Sequence, residues 1–183
     1  MKKKFPLKYT LLAISIIATT LLFPETGYLS AKKSDVTNKK YKHYEAVLKD
    51  VDFKTMKGKS FENKDFSKGV VILNFWASWC RPCLEEFPSL VNLRKKYKTD
   101  KLKIITVNSD EENIKKNIKR ITKKYNLNFD IVSDKDGILT DRFMVSAIPV
   151  SIIYYNGKVI EESQGAKDFY SEEFQETIEK MLK

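Results

Sequence analysis

The period of the apolar positions changes several times along the chain. A charge-free, mostly apolar run from Tyr9 to Phe23 follows Lys2, Lys3, Lys4 and Lys8. From about residue 45 the pattern becomes that of a folded domain. "VLKDVDF" alternates apolar and polar residues as a half-buried strand does, and "KTMKGKSFENKDF" reads as a turn followed by polar connections. "GVVILNFW", Gly69 to Trp76, is nearly continuous and rich in branched side chains, the pattern of a strand buried on both faces. Helical spacing starts at Cys80 and continues through Leu84, Phe87, Leu90, Val91 and Tyr97, with Pro88 inside it and expected to kink it.

"LKIITVNSD" predicts a second buried strand, and Ile114, Ile118, Ile121 and Tyr125 mark the buried side of a helix after it. "FDIVSD" predicts a short strand and "GILTDRFMV" a short helix. "PVSIIYYNGKVIEES" reads as a hairpin turning at Asn156-Gly157, and Tyr170, Phe174, Ile178 and Met181 align on a final helix. Strands alternating with helices predict an α/β sheet covered on both sides. In such sheets, sites form at the carboxyl ends of strands, here where the first central strand passes into its helix.

The N-terminal run spans about 22 Å as a helix, short of a ~30 Å hydrocarbon core. Two readings stand: residues 1–31 are a signal peptide cleaved after Ala31, or a short membrane anchor. Both export the domain. Residues 32–44 are polar and lysine-rich and read as a tether, which leaves 45–183 as one domain. Four lysines against Glu25 give the leader +3 of the net +10, so +7 remains on the rest, enough only for mild attraction to anionic surfaces.

Cys80 and Cys83 are the chain's two cysteines, within "FWASWCRPCLEEF". Leu84 stands where covalent haem attachment needs a histidine, and a closed zinc site needs four ligands where the chain has two cysteines and His43. No metal and no cofactor are therefore expected. A bracing disulfide over so small a loop contributes only about 2 kcal/mol. Redox work fits better. At a helix N-terminus the unpaired N–H groups and the dipole stabilise a thiolate at Cys80, and Cys83 lies one turn on. Pro82 in the first turn costs no hydrogen bond.

"NFWASWCRPCLEEFPSL" resembles the active-site segment of thioredoxin-like proteins, in particular exported TlpA/ResA-type thiol–disulfide oxidoreductases. The resemblance runs from about residue 47 to 183 and takes in "MKGKSF", "VNSD" and "SAIPVSIIYYNGKVI". It implies an α/β thioredoxin fold with an N-terminal β extension and a central βα insertion. It also implies a cis proline at Pro149 facing the disulfide, which would turn the Ile148 backbone outward to pair with a substrate strand. Trp79 reads as flanking the site as a substrate contact, with packing as the alternative. Thioredoxins proper carry a buried Asp where this chain has Asn74, which cannot titrate. The TlpA/ResA type often has a Glu three residues after the second cysteine, and Glu86 holds that place. Cys83 and Glu86 share a helix face, so Glu86 can handle the resolving thiol's proton. A solvated surface carboxylate is the alternative.

The activity implied is reduction or exchange of envelope-protein disulfides by a monomer recharged from a membrane-bound electron donor, with apocytochrome c, a spore or wall protein and a general thiol pool as the open substrate classes. A disulfide-forming oxidant and a copper-delivering binding module are the rival readings. The copper carriers of this fold space their cysteines by three and add a later histidine, and this chain has neither. Trp76 reads as packing, and Arg81 as either a modulator of the thiolate or a solvated side chain. The cations of "KKNIKRITKK" read as a solvated helix face, with no aromatic interleaving to suggest nucleic acid.

Overall fold

β3 (Val70–Trp76) is buried at every one of its seven positions. A strand with no polar face needs cover on both sides, and the rest of the fold supplies it. The computed structural model describes residues 37–97 and 100–183. The expected leader and the first part of the tether lie outside the described residues. The chain divides into two units, Met1–Lys39 and Lys40–Lys183, and the fold described is that of the second.

β4 (Leu102–Asn108) pairs parallel with β3, and β5 (Asp130–Ser133) pairs parallel with β4 at one edge. On the other side β6 (Val150–Tyr155) runs antiparallel to β3, and β7 (Lys158–Gln164) closes that edge, giving the order β5-β4-β3-β6-β7. The β6–β7 turn places Asn156 at φ 49° and Gly157 at φ 80°, the pair of positive angles that an Asn-Gly hairpin turn uses. A small hairpin of β1 (Phe53–Lys54) and β2 (Ser60–Phe61) precedes the sheet. It is fastened to the β5 edge by a Thr55–Val132 bridge and by Met56 N–H donating to the Ile131 carbonyl at 2.8 Å.

The helices are α1 (residues 37–47), α2 (Asn63–Phe66), α3 (Arg81–Lys96), α4 (Ile114–Tyr125), α5 (Ile138–Arg142) and α6 (Glu172–Leu182). Alternation along β3 divides the core in two. Val70, Ile72 and Trp76 face a cluster built from Phe87, Leu90 and Leu93 of α3, Ile118 and Ile121 of α4, and Phe174 and Ile178 of α6. Val71, Leu73 and Phe75 face Tyr44, Leu48, Phe53, Phe61, Phe66 and Phe143. Phe143 is the hub of that second layer, with ring centroids 5.5 Å from Phe75, 6.1 Å from Phe53 and 6.2 Å from Tyr44. This is the thioredoxin fold with both expected additions: the β1–β2 extension, and α4 with β5 inserted ahead of α5.

Four local expectations differ from the structure. Residues 40–44, read as tether, are helical, because Tyr44 with Val47 and Leu48 lays an apolar stripe on the second core layer. The strand pattern of "VLKDVDF" is realised only at Phe53–Lys54; Val47 ends a helix and the residues between form a turn. The connection after it is less polar than it reads, since Phe61 and Phe66 are core residues. Pro88 does lie inside α3, which continues to Lys96, and Tyr170 precedes α6, whose N-cap is Ser171.

Gly69 sets the entry to β3. Its φ is +71°, and a Cβ there would lie 2.2 Å from the Lys101 carbonyl oxygen. Its N–H donates to Asn156 Oδ1 at 2.8 Å and its carbonyl accepts from Asn156 N–H at 2.9 Å, so it has no freedom to move away. Gly69→Ala is expected to cost at least about 2 kcal/mol by denaturant unfolding. Gly58→Ala, at φ +82° with open space around it, is expected to cost about 1 kcal/mol. Equal losses in the two variants would refute the steric argument.

Candidate active site

The reactive segment begins where β3 ends. Trp76 is fully buried and meets Phe87 edge-on with centroids 5.0 Å apart, so it is a packing residue. The following loop is braced from the end of β4: Ser109 N–H donates to the Trp76 carbonyl at 2.9 Å, and Ser78 N–H to Asp110 Oδ1 at 2.8 Å. Cys80 is the N-cap of α3, in extended conformation at φ −81° and ψ 99°, with proline in the first turn. Its sulfur receives the Cys83 N–H at 3.3 Å, one of the donors that the start of a helix leaves free.

Cys80 and Cys83 form a disulfide with Cα atoms 5.3 Å apart. Cys80 retains 5% exposure and Cys83 none, so an incoming reactant reaches the first sulfur. The Ile148–Pro149 peptide bond is cis, and Cys80 Sγ lies 3.8 Å from the Ile148 carbonyl oxygen. Trp79, beside the disulfide, is 73% exposed, far more than packing alone leaves an indole. Cys80, Ile148 and Pro149 are thus brought together, whereas Trp79 lines a separate opening with Asp110, Glu111 and Asn117.

Glu86 occupies the next turn of α3 and is 3% exposed, which removes the solvated-surface alternative. Asn74 Nδ2 donates to its Oε1 at 2.6 Å, and the Lys167 backbone N–H to its Oε2 at 3.3 Å. Burial pushes the carboxyl up to about 7, against the opposing pull of the Asn74 and Lys167 hydrogen bonds. A carboxyl so placed is half ionised near neutrality and can both take and return a proton. Glu85 points elsewhere, pairing with Arg81 at 2.9 Å on the surface, so Arg81 is engaged away from the sulfurs. His43 is remote, its Nε2 2.9 Å from the Arg142 carbonyl oxygen.

Two residues of the site escaped the sequence reading. The sequence marks Asn74 only as a departure from a pattern, and nothing in it marks Ser151, whose Oγ accepts from Asn74 Nδ2 at 2.9 Å. One signal was available: Asn74 is the lone polar residue in "VVILNFW", and a polar side chain inside a doubly buried strand must find a partner.

The AhpC/TSA family profile matches residues 44–163. The chain is 38% identical over 129 residues to the thiol-disulfide oxidoreductase ResA of Bacillus thuringiensis subsp. konkukian, covering 70% of each chain. It is 36% identical over 114 residues to the thioredoxin-like protein YneN of Bacillus subtilis, covering 62% of this chain and 66% of that one. Among solved structures, StoA from Bacillus subtilis superposes with a TM-score of 0.58 at 26% identity, over 70% of this chain and 93% of that one.

The buried carboxyl makes stability depend on pH. The folded state holds the Glu86 proton up to about 7, whereas the unfolded chain releases it near 4.5. The cost of burying the charge is therefore absent at low pH and grows as pH rises from about 4.5 to about 7. Relative to the parent, Glu86→Gln is expected to gain stability across that window, by up to the order of 3 kcal/mol at pH 8 compared with pH 4.5. Denaturant titrations of both proteins at the two pH values measure the gain. A pH-independent offset would show that the carboxyl titrates as a surface group does.

Proposed function

The chain belongs to the AhpC/TSA family and is a thiol–disulfide oxidoreductase acting on protein disulfides, and from that premise we propose that it is a reductant working outside the cytoplasm. The observation that carries this reading is the stacking of three features along one line. An exposed-side sulfur caps a helix N-terminus, its partner is buried behind it, and a carboxyl titrating near neutrality lies one turn further on.

Reduced protein starts the cycle with a Cys80 thiolate stabilised by the N–H groups of the first turn of α3. It attacks one sulfur of a substrate disulfide. A Cys80–substrate bond forms, the substrate S–S bond breaks, and the first substrate thiolate leaves. Cys83 then gives its proton to Glu86 and attacks Cys80 Sγ, which forms the Cys80–Cys83 disulfide and expels the second substrate thiolate. Two electrons have passed to the substrate, and an incoming dithiol donor must return them. The Ile148–Pro149 backbone is a proposed contact for the substrate chain because the Ile148 carbonyl lies against the accessible sulfur, and Trp79, next to Cys80 in sequence and largely exposed, is proposed as another.

The apolar run at the N-terminus, with its leading lysines, supports export of residues 45–183 by a leader or anchor within 1–31. On that side of a membrane the substrates are envelope proteins with oxidised cysteine pairs, apocytochrome c among them, and the donor is a membrane-bound dithiol. Direction follows from charge. Strong oxidants stabilise the reduced form through a very favourable thiolate, and an ionised Glu86 one turn beyond Cys83 opposes further negative charge in the site.

Cys83→Ser is expected to accumulate mixed disulfides with substrate proteins, while Cys80→Ser forms none and loses insulin reduction altogether. Preferential alkylation of Cys83 in the reduced protein would reverse the assigned roles. In glutathione or dithiothreitol redox buffers the potential is expected nearer ~−270 mV than ~−120 mV. A value more positive than about −160 mV would make the protein a net oxidant.

A further inference from the structure

Asn74 is fully buried, and its two amide hydrogens are both used, on Glu86 Oε1 at 2.6 Å and on Ser151 Oγ at 2.9 Å. Its own Oδ1 is buried and has no partner. That asymmetry fixes the amide's orientation. Rotated by half a turn, the amide would set its oxygen against the Glu86 carboxylate. It would also leave two buried N–H groups without acceptors in place of one under-satisfied oxygen. Orphaned donors are the rarer and costlier case, so the N–H side stays toward Glu86. Toward the ionised carboxylate Asn74 can therefore only donate.

We propose that Asn74 is a positioning residue for the redox reaction: its amide, held by Ser151, is a one-way donor that makes Glu86 a single independent proton carrier behind Cys83 rather than one member of a coupled pair of acids. The proposal rests on the reading of Glu86 as the acceptor of the Cys83 proton. Three consequences follow from the geometry. The donor favours the ionised carboxylate and so counteracts burial, which favours the protonated form. The amide carries no titrating group of its own, so proton release is a single step. Ser151, on β6 across from β3, ties that step to the pairing of the two central strands, where Asn74 and Ser151 are register partners.

The other groups around Glu86 do not substitute for this donor. On α3, Cys83 is in the disulfide, and Ser89 Oγ donates to the Glu86 backbone carbonyl at 2.7 Å, not to the carboxyl. From the segment leading to α6 only the Lys167 backbone N–H reaches the carboxyl, since the Lys167 ammonium pairs with Glu161 at 2.7 Å. Glu85, Asp168 and Tyr170 line the open pocket of about 430 Å³ that Glu86 shares, and none of them donates to it among the described contacts.

The test follows the Glu86 carboxyl directly, by ¹³C NMR titration of carboxyl-labelled oxidised protein, and follows the pH–rate profile of disulfide exchange separately. Asn74→Leu, close to isosteric, is expected to tighten proton binding at Glu86 about tenfold or more and to move the midpoint alkaline. Ser151→Ala is expected to move it the same way by less. Asn74→Asp is expected to replace the single step by two coupled steps shared between residues 74 and 86. Where Asn74→Leu does not fold, the other two variants decide. An unmoved midpoint in Ser151→Ala together with a single-step titration in Asn74→Asp overturns the proposal. The two readings fail differently. If Glu86 is not the proton acceptor, its NMR midpoint still moves while the rate profile stays fixed. If only the Asn74 role is wrong, the wild-type rate limb still coincides with the Glu86 midpoint, and the variants leave both in place.

Discussion

Everything in this molecule is arranged around a strand that has no solvent side. β3 buries seven consecutive side chains, so the sheet must be roofed above and below, and successive residues must serve different roofs. Even-numbered positions meet α3, α4 and α6; odd-numbered positions meet α1, the β1–β2 hairpin and the Phe143 layer. Parity alone puts Asn74 on the α3 side, under the turn that carries Glu86. A slip of one residue in the pairing of β3 would send the amide into the aromatic layer and leave the carboxylate without its strongest donor. The redox site thus inherits its geometry from the register of the central strand.

Two electrostatic effects of opposite sign meet along the first turns of α3. The helix N-terminus favours negative charge on Cys80, while a buried carboxylate disfavours more of it close by. They act on different sulfurs. Cys80 sits at the cap, where free N–H groups converge, and Cys83 lies one turn inside, toward Glu86. On the proposed reading the arrangement divides the work: Cys80 is the nucleophile, and Cys83 is the sulfur whose proton a nearby base removes. Placing both functions on one rigid helix fixes their spacing without a loop that has to close.

The sheet and the reactive cysteines were legible in the sequence because both are short-range signals. "VVILNFW" is apolar at every position but Asn74, "PVSIIYYNGKVI" turns at an Asn-Gly pair, and Cys80 and Pro82 mark a helix start within three residues. What stayed hidden depended on contacts distant in sequence. Residues 40–44 read as tether because lysines and a histidine mask Tyr44, which is buried in the layer that holds Phe143, far along the chain. Glu86 is flanked by Glu85 and reads equally well as surface. Its burial is decided by residues 74 and 167, twelve positions back on β3 and 81 positions ahead in the chain. No local pattern carries that information.

Burying an ionisable group at neutral pH weakens a fold, and natural domains have only about 5–15 kcal/mol to lose. The parity of β3 places the opposing contribution where it cannot interfere with chemistry. The second layer, with Tyr44, Phe53, Phe61, Phe66 and Phe143, is almost wholly apolar and aromatic and contributes no side chain to the Cys80–Cys83–Glu86 line. It braces β3 from behind and so holds the strand that carries Asn74 in register beneath the buried Glu86. The β1–β2 extension does the same at the exposed β5 edge, which it covers through Thr55 and Met56. Segments that look like decoration around a minimal redox fold are therefore mechanically part of it: they carry stability on one face of the sheet so that the other face can hold a group that costs stability.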